Sequence, residues 1–364
     1  MTYLDRASAL LAAIRGQGRY REVRPRARIG VLDFSSNDYL ALATHPQVVE
    51  AFHRATRVGA GGARLLGGAH REQSLLEEEL AAWLGRERVL LFSSGYLAAL
   101  GAPAVLSRTV DYIYSDRLNH ASLIDGVRGT KIHRFIYDHA ALPARRRGNA
   151  LIVTESIFGM DGDAIDLERM LGQLEEGDVL LIDEAHALGV TGERGAGLAR
   201  ALDDPRIVIL GTLSKAFGGL GGFIAGPAAV IDLLVNEART FIFDTALPPA
   251  IALAARVALT LIRDGDEARA RLHDNATRLR AGLRSLGLTA TEGPSPVVPV
   301  VLGSEARAVE VARCLESMNI HAPAIRPPTV PKGSSRLRLS VRSDHQREHI
   351  DLLVQGLAKC IATS

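Results

Sequence analysis

The segment IVILGTLSKAFGGLGGFIAG, residues 207–226, opens as an apolar strand at 207–210 and carries a lysine, Lys215. It then crosses four glycines in five positions and re-enters an apolar strand at 222–225. Small neighbours around Lys215 let a planar group approach its amine closely. Upstream, VLLIDEAHALGV (179–190) places Asp183 directly after another apolar run, with His186 three residues on. Further candidate strands lie at 88–92, 111–114, 131–135 and 150–154. Helix-length stretches fall between them, such as 73–84 with apolar positions 75, 76, 80, 83 and 84. Strands that are apolar throughout and separated by helices predict a mostly parallel sheet covered on both faces, with ligands at the strands' carboxyl ends.

The last third reads differently. A long helical region at 250–286 leads to Pro294–Ser295–Pro296, then to a shorter strand, helix and strand pattern ending in the alternating run 335–341 and a final helix. The expected organisation is an N-terminal helical segment (1–35), a large α/β domain (36–245) and a smaller C-terminal α/β domain (246–364), joined near Leu247–Pro248–Pro249.

Composition excludes several classes. Of 364 residues, 47% are hydrophobic and 23% charged, which argues against disorder and coiled coil. A net charge of +2, mixed along the chain, does not indicate a nucleic-acid or membrane-surface binder. No secretory signal or apolar span is visible, so a cytoplasmic protein is expected. Cys314 and Cys360 lack metal-ligand spacing and are too few for a disulfide framework, which fits a reducing compartment. His345 and His349, four apart, could face one metal, but an exposed face of the last helix is the expectation and no metal is assigned.

Only four of 43 basic residues are lysine, so each invites attention. An amine forms a Schiff base with an aldehyde and a guanidinium does not, which makes Lys215 a candidate covalent anchor. Asp183, at the carboxyl end of a buried strand, needs a cation or donors to offset its burial. The letters DEAH also occur in ATPases, but none of the four lysines follows a glycine, so the phosphate loop that reading requires is missing. Ser93–Ser94–Gly95–Tyr96 joins a strand to a helix, and the backbone amides of such a helix start form an anion site. His120 likewise follows a strand.

Taken together, FSSNDYLALATHP, GAGGARLLGGAH, EEELAAWLG, LFSSGY, DRLNHASLIDG, TESIFGMDGD, DEAHALGVTGERGAG, TLSKAFGG, FIFDTALPP and RPPTVPKGSSRLRLSV resemble, in order, segments of the α-oxoamine synthases. These are pyridoxal-phosphate enzymes of the aspartate-aminotransferase fold (fold type I), with a large mostly parallel sheet domain and a smaller C-terminal α/β domain. The stretch AIRPPTVPKGSSRLRLS is most similar to members that condense L-alanine with a pimeloyl thioester, carried by coenzyme A or a carrier protein, in biotin biosynthesis. Sister enzymes joining another amino acid, such as glycine, to another acyl group are the alternative, and transamination on the same fold is a further one.

The resemblance implies roles residue by residue. Lys215 would hold pyridoxal phosphate covalently and move protons at the substrate's α-carbon. Asp183 would pair with the pyridine nitrogen, His186 with the ring's phenolic oxygen, and His120 would stack on the ring and touch substrate. Gly95, Tyr96 and Thr212 would hold the phosphate or its flank. Thr245 would reach the phosphate of a neighbouring subunit, implying a homodimer with shared active sites. Arg326, helped by Asn37, would grip the amino acid's carboxylate, Thr329 would contact substrate, and Arg21 would lie near the acyl group. Two positions depart from the pattern: Gly159 replaces a common serine, so a hydroxyl contact is lost or supplied by a backbone amide, and Gln73 replaces a common histidine.

Overall fold

The computed structural model describes residues 1–17, 19–23, 30–143 and 146–362. Helix α1 (Tyr3–Gly16) is capped by Thr2, whose hydroxyl accepts from Asp5 N–H while the Asp5 carboxylate accepts from Thr2 N–H. None of its residues is buried, and Leu4, Leu10 and Leu11 stand exposed. Strand β1 (Leu32–Asp33), α2 (Pro46–His53) and α3 (Arg71–Leu84) lead into β2 (Arg88–Phe92). Then come α4 (Gly95–Leu106), β3 (Tyr112–Asp116), α5 (Ala121–Arg128), β4 (His133–Tyr137), β5 (Ala150–Glu155), α6 (Leu167–Leu171), β6 (Val179–Asp183), β7 (Ile207–Thr212) and β8 (Gly222–Gly226).

Seven of these strands form one sheet in the order β2-β8-β7-β6-β5-β3-β4. Only β8 runs antiparallel to its neighbours, β2 and β7; the other pairs are parallel. Side chains alternate between two buried cores. Leu180, Ile182, Ile207 and Ile209 point into one, and Leu181, Val208 and Leu210 into the other. Burial on both faces is why these strands read as unbroken apolar runs. Each fully buried Leu or Ile contributes roughly 1.5–3 kcal/mol, so the centre of the sheet is a rigid platform. Strands β5, β6 and β7 continue beyond their apolar runs to Glu155, Asp183 and Thr212, so polar residues end them.

Helices α7 (Ala228–Glu237) and α8 (Arg239–Ile242) follow, then α9 (Pro249–Arg263) and α10 (Asp266–Ser285). The long helical region expected at 250–286 consists of two helices, parted at Asp264 and Gly265. Strands β9 (Val297–Gly303), β11 (Ala324–Ile325) and β12 (Ser335–Ser340) make a three-stranded antiparallel sheet, while β10 (Ile320–His321) pairs with β1. Helices α11 (Glu305–Ser317) and α12 (Arg347–Ala362) cover this end.

Two sequence expectations need correction here. His345 does not lie on an exposed helix face: it precedes α12, is buried, and sits 4.5 Å from the Phe34 ring, where burial pushes its pKa down to about 4. Cys314 and Cys360, read as fitting a reducing compartment, are joined in one disulfide, because packing of α11 on α12 brings their Cα atoms to 5.7 Å. Among the described residues no group of three His, Cys, Asp or Glu could hold a metal, and no helix is long and apolar enough to cross a membrane. Gln73 is a wholly buried structural link. Its carbonyl accepts from His70 N–H at 2.8 Å and its amide donates to the Leu247 carbonyl at 2.6 Å.

Candidate active site

The carboxyl ends of β5, β6 and β7 bring together groups that an apolar sheet would otherwise exclude. Glu155 and Asp183 are direct partners across the β5–β6 ladder, and both are buried. Burial raises the pKa of Asp183, against the pull of Lys215, the Ala185 N–H at 2.9 Å and His120. Burial also pushes Glu155 up to about 8, reinforced by Asp183 and opposed by Lys215 and by N–H donors from His120 and Gly159. Lys215, just past β7, is brought down to about 8 by burial and by Arg338, with Asp183 and Glu155 acting in the opposite direction. An amine near 8 is partly neutral at physiological pH, which is what a nucleophile requires.

His120 begins α5. Its Nδ1 lies 2.7 Å from the Ser122 hydroxyl and its main-chain N–H donates to Glu155 Oε1 at 2.6 Å. The residue stays accessible from the cleft, yet the packed surroundings lower its pKa, so the ring tends to neutrality. Opposite lies the start of α4, where the Ser94 hydroxyl accepts from Leu97 N–H. A Cβ on Gly222 would strike Gly95, so these two glycines let β8 and the helix start close on one another. Thr212 Oγ1 donates to the Gly221 carbonyl at 3.0 Å and lies 2.7 Å from the Ser214 hydroxyl, beside Gly95. Helix amides and two hydroxyls therefore lie side by side at this end of the sheet, the groups that an anion would need. Tyr96, at the first turn, donates its hydroxyl to Asp125. Thr245 is exposed and, among the described residues, makes no hydrogen bond to the Lys215 cluster.

The other wall comes from distant parts of the chain. Asn37 Oδ1 accepts from Arg338 Nη1 at 3.1 Å and lies 3.2 Å from the Tyr39 hydroxyl, which is also 2.7 Å from His186 Nδ1. Arg338 also donates to the Gly159 carbonyl at 2.6 Å and to Ser340 Oγ at 3.0 Å. A Cβ on Gly159 would collide with the His186 ring, so the imidazole occupies the space that a side chain at 159 would take. The Gly159 N–H acts on the Glu155 carboxyl, favouring its charged form.

Arg338, Tyr39 and Glu155 are site residues that sequence reading missed. The signal for Arg338 was present in SRLRLS, where two arginines alternate with leucines. Arg336 goes to Asp161 and the 160 loop, whereas Arg338 acts electrostatically on both Lys215 and His186. Arg326 lies elsewhere. With Arg19, Arg21 and Thr329 it lines a cavity of about 200 Å³, in which Arg21 Nη2 donates to Thr329 Oγ1 at 3.4 Å. Ten of the twelve sequence-predicted residues thus form two groups, Gly95, His120, Asp183, His186, Thr212, Lys215 and Asn37 around the strand ends and Arg21, Arg326 and Thr329 around this second cavity, while Tyr96 is bonded to Asp125 and Thr245 stands exposed.

Residues 29–357 match the family model for aminotransferase class I and II. The 8-amino-7-oxononanoate synthase of Methylococcus capsulatus is 42% identical, over 99% of both chains. The chain belongs to this family, in its 8-amino-7-oxononanoate synthase branch. An Anaeromyxobacter dehalogenans member of the branch is also 42% identical, over 98% of this chain and 95% of its own. Among solved structures, the Francisella tularensis 8-amino-7-oxononanoate synthase superposes with a TM-score of 0.81 at 28% identity, over 92% of this chain and 98% of that one. Sphingomonas wittichii serine palmitoyltransferase superposes at 0.89 and 26%, over 100% and 98%. Family membership and the mostly parallel sheet agree with the fold-type-I expectation.

Proposed function

We propose that this chain is a pyridoxal-phosphate-dependent acyltransferase that condenses L-alanine with a pimeloyl thioester, on coenzyme A or a carrier protein, to give 8-amino-7-oxononanoate, carbon dioxide and the free thiol. The observation that carries this reading is Lys215 facing Asp183 at the ends of adjacent strands, with helix amides and two hydroxyls at one side. The donor set fits the cofactor: an amine for its aldehyde, a buried carboxylate for its ring nitrogen, His120 and His186 for its face and phenolic oxygen, and Gly95, Tyr96 and Thr212 for its phosphate. Bound there, pyridoxal phosphate supplies an electron-accepting ring for a carbanion at the substrate's α-carbon.

With the cofactor bound, Asp183 would keep its ring nitrogen protonated, and the Lys215 amine would take the α-proton of alanine as general base. Carbon–carbon bond formation at the thioester carbonyl would expel the thiol, loss of the carboxylate would release carbon dioxide, and the proton held by Lys215 would return to the same carbon. We assign that carboxylate to Arg338 and Asn37 rather than to Arg326, because Arg338 is the guanidinium that acts on Lys215 and is already aimed by Asn37, Gly159 and Ser340. Arg326, Arg21 and Thr329 then serve the acyl side. The reading includes a cytoplasmic homodimer in which Thr245 reaches the partner's site; exposed Phe243 beside it and the exposed apolar residues of α1 support a partner surface.

Product mass spectrometry with a panel of amino acids and acyl thioesters tests the function. 8-Amino-7-oxononanoate formed only from alanine plus the pimeloyl thioester is expected. A product from glycine alone among the amino acids, or pyruvate released from alanine without acyl donor, would overturn it.

A further inference from the structure

The buried carboxyl of Glu155 has no part in the chemistry above, although it lies at the centre of the site. It accepts the main-chain N–H of His120 at 2.6 Å, and the Gly159 N–H also favours its charged form. His120 leads the wall that, on that reading, would face the cofactor. Gly159 leads the opposite one, where its missing Cβ admits the His186 ring and its carbonyl holds Arg338 at 2.6 Å. One side chain thus holds the backbone of the first wall and acts on the second, from a strand end next to Asp183.

We propose that Glu155 is a positioning residue that couples the two walls of the cofactor pocket and whose charge sets the proton affinity of Asp183 beside it. The inference rests on the cofactor reading given above. The groups facing Glu155 are Asp183 on β6, Lys215 after β7 and His120 at the start of α5, with Glu184 and Arg338 acting through Asp183 and Lys215. Burial places the ionisation of Glu155 near 8. As Glu155 ionises it adds negative charge directly across the ladder from the buried Asp183 carboxyl, and a like charge there disfavours the doubly ionised pair.

Glu155→Gln keeps an oxygen for the two N–H donors and removes the charge, whereas Glu155→Asp keeps the charge and shortens the reach. Both are compared with the wild type by absorbance of bound pyridoxal phosphate from about pH 6 to 10, and by fluorescence titration of the apoprotein with the cofactor. Glu155→Gln is expected to shift the midpoint of the absorbance titration by about one pH unit while its affinity stays within about threefold. Glu155→Asp is expected to bind about tenfold more weakly and to titrate like the wild type. A wild-type titration in Glu155→Gln, or wild-type affinity in Glu155→Asp, overturns the proposal. A wild-type protein with no cofactor absorbance and no borohydride labelling of Lys215 rejects the cofactor reading itself, and the proposal with it.

Discussion

The Tyr39 hydroxyl lies 2.7 Å from Nδ1 of His186, joining residues 147 apart in the chain. Burial holds the His186 pKa well below the ordinary imidazole range, so the ring is neutral and carries one proton. The single phenol proton goes to Asn37 Oδ1 at 3.2 Å, so the phenol oxygen accepts from Nδ1–H of His186 and the contact holds the proton on that nitrogen rather than on Nε2, the nitrogen facing Gly159. Tyr39→Phe frees the tautomer. We expect kcat/KM to fall about fivefold, the effect of one buried hydrogen bond near 1 kcal/mol, as measured by steady-state kinetics.

Gly159→Ser would install the residue common in similar enzymes. Here the added Cβ meets the His186 ring. The substitution is expected to lower kcat/KM by about tenfold and the stability by roughly 1–3 kcal/mol, the usual cost of overpacking. Kinetics and urea denaturation check this; improved activity would show that His186 swings aside without penalty.

The two arginines should separate by substrate. Arg338→Ala is expected to raise KM for alanine about 10- to 100-fold, the loss of a charged hydrogen bond of about 1.5–3 kcal/mol, and Arg338→Lys should not rescue it because the paired geometry is lost. Arg326→Ala should act on KM for the acyl thioester instead. Varying each substrate in turn distinguishes them.

His139 provides a pH signature outside the site. Its Nδ1 lies 3.1 Å from Asp116 Oδ2 and its Nε2 2.6 Å from Asp163 Oδ2, and these contacts push its pKa up to about 10. A raised pKa contributes stability that is fully present below the unfolded value near 6.5 and is lost as pH climbs through about 10. The thermal midpoint should decline over that window, by about 2–4 °C for each kcal/mol lost, and His139→Gln should flatten the decline.

Much of this was legible in the sequence because both faces of the main sheet are buried. Strand 88–92 falls where its apolar run predicts, and Asp183 and Lys215 stand at strand ends for the same reason. Arg338 was hidden because a charged residue at every second position of a strand ordinarily faces water. In β12 it faces inward, and its partner Asn37 lies 301 residues away. His345 was misplaced because a four-residue spacing resembles a helix face, while the helix begins only at Arg347. The disulfide depends on how α11 packs against α12, which neither cysteine's neighbours reveal.

The placement of Arg338 also bears on how the protein is made. Asn37, His120, Asp183, His186 and Lys215 have all left the ribosome well before β12 is synthesised, yet the guanidinium that completes their wall arrives only with that strand. A nascent chain with a finished central sheet still lacks the cation opposite Lys215. On the proposed assignment, the grip on the amino acid is therefore completed only after β12 has been made, and a chain ending before that strand would lack it.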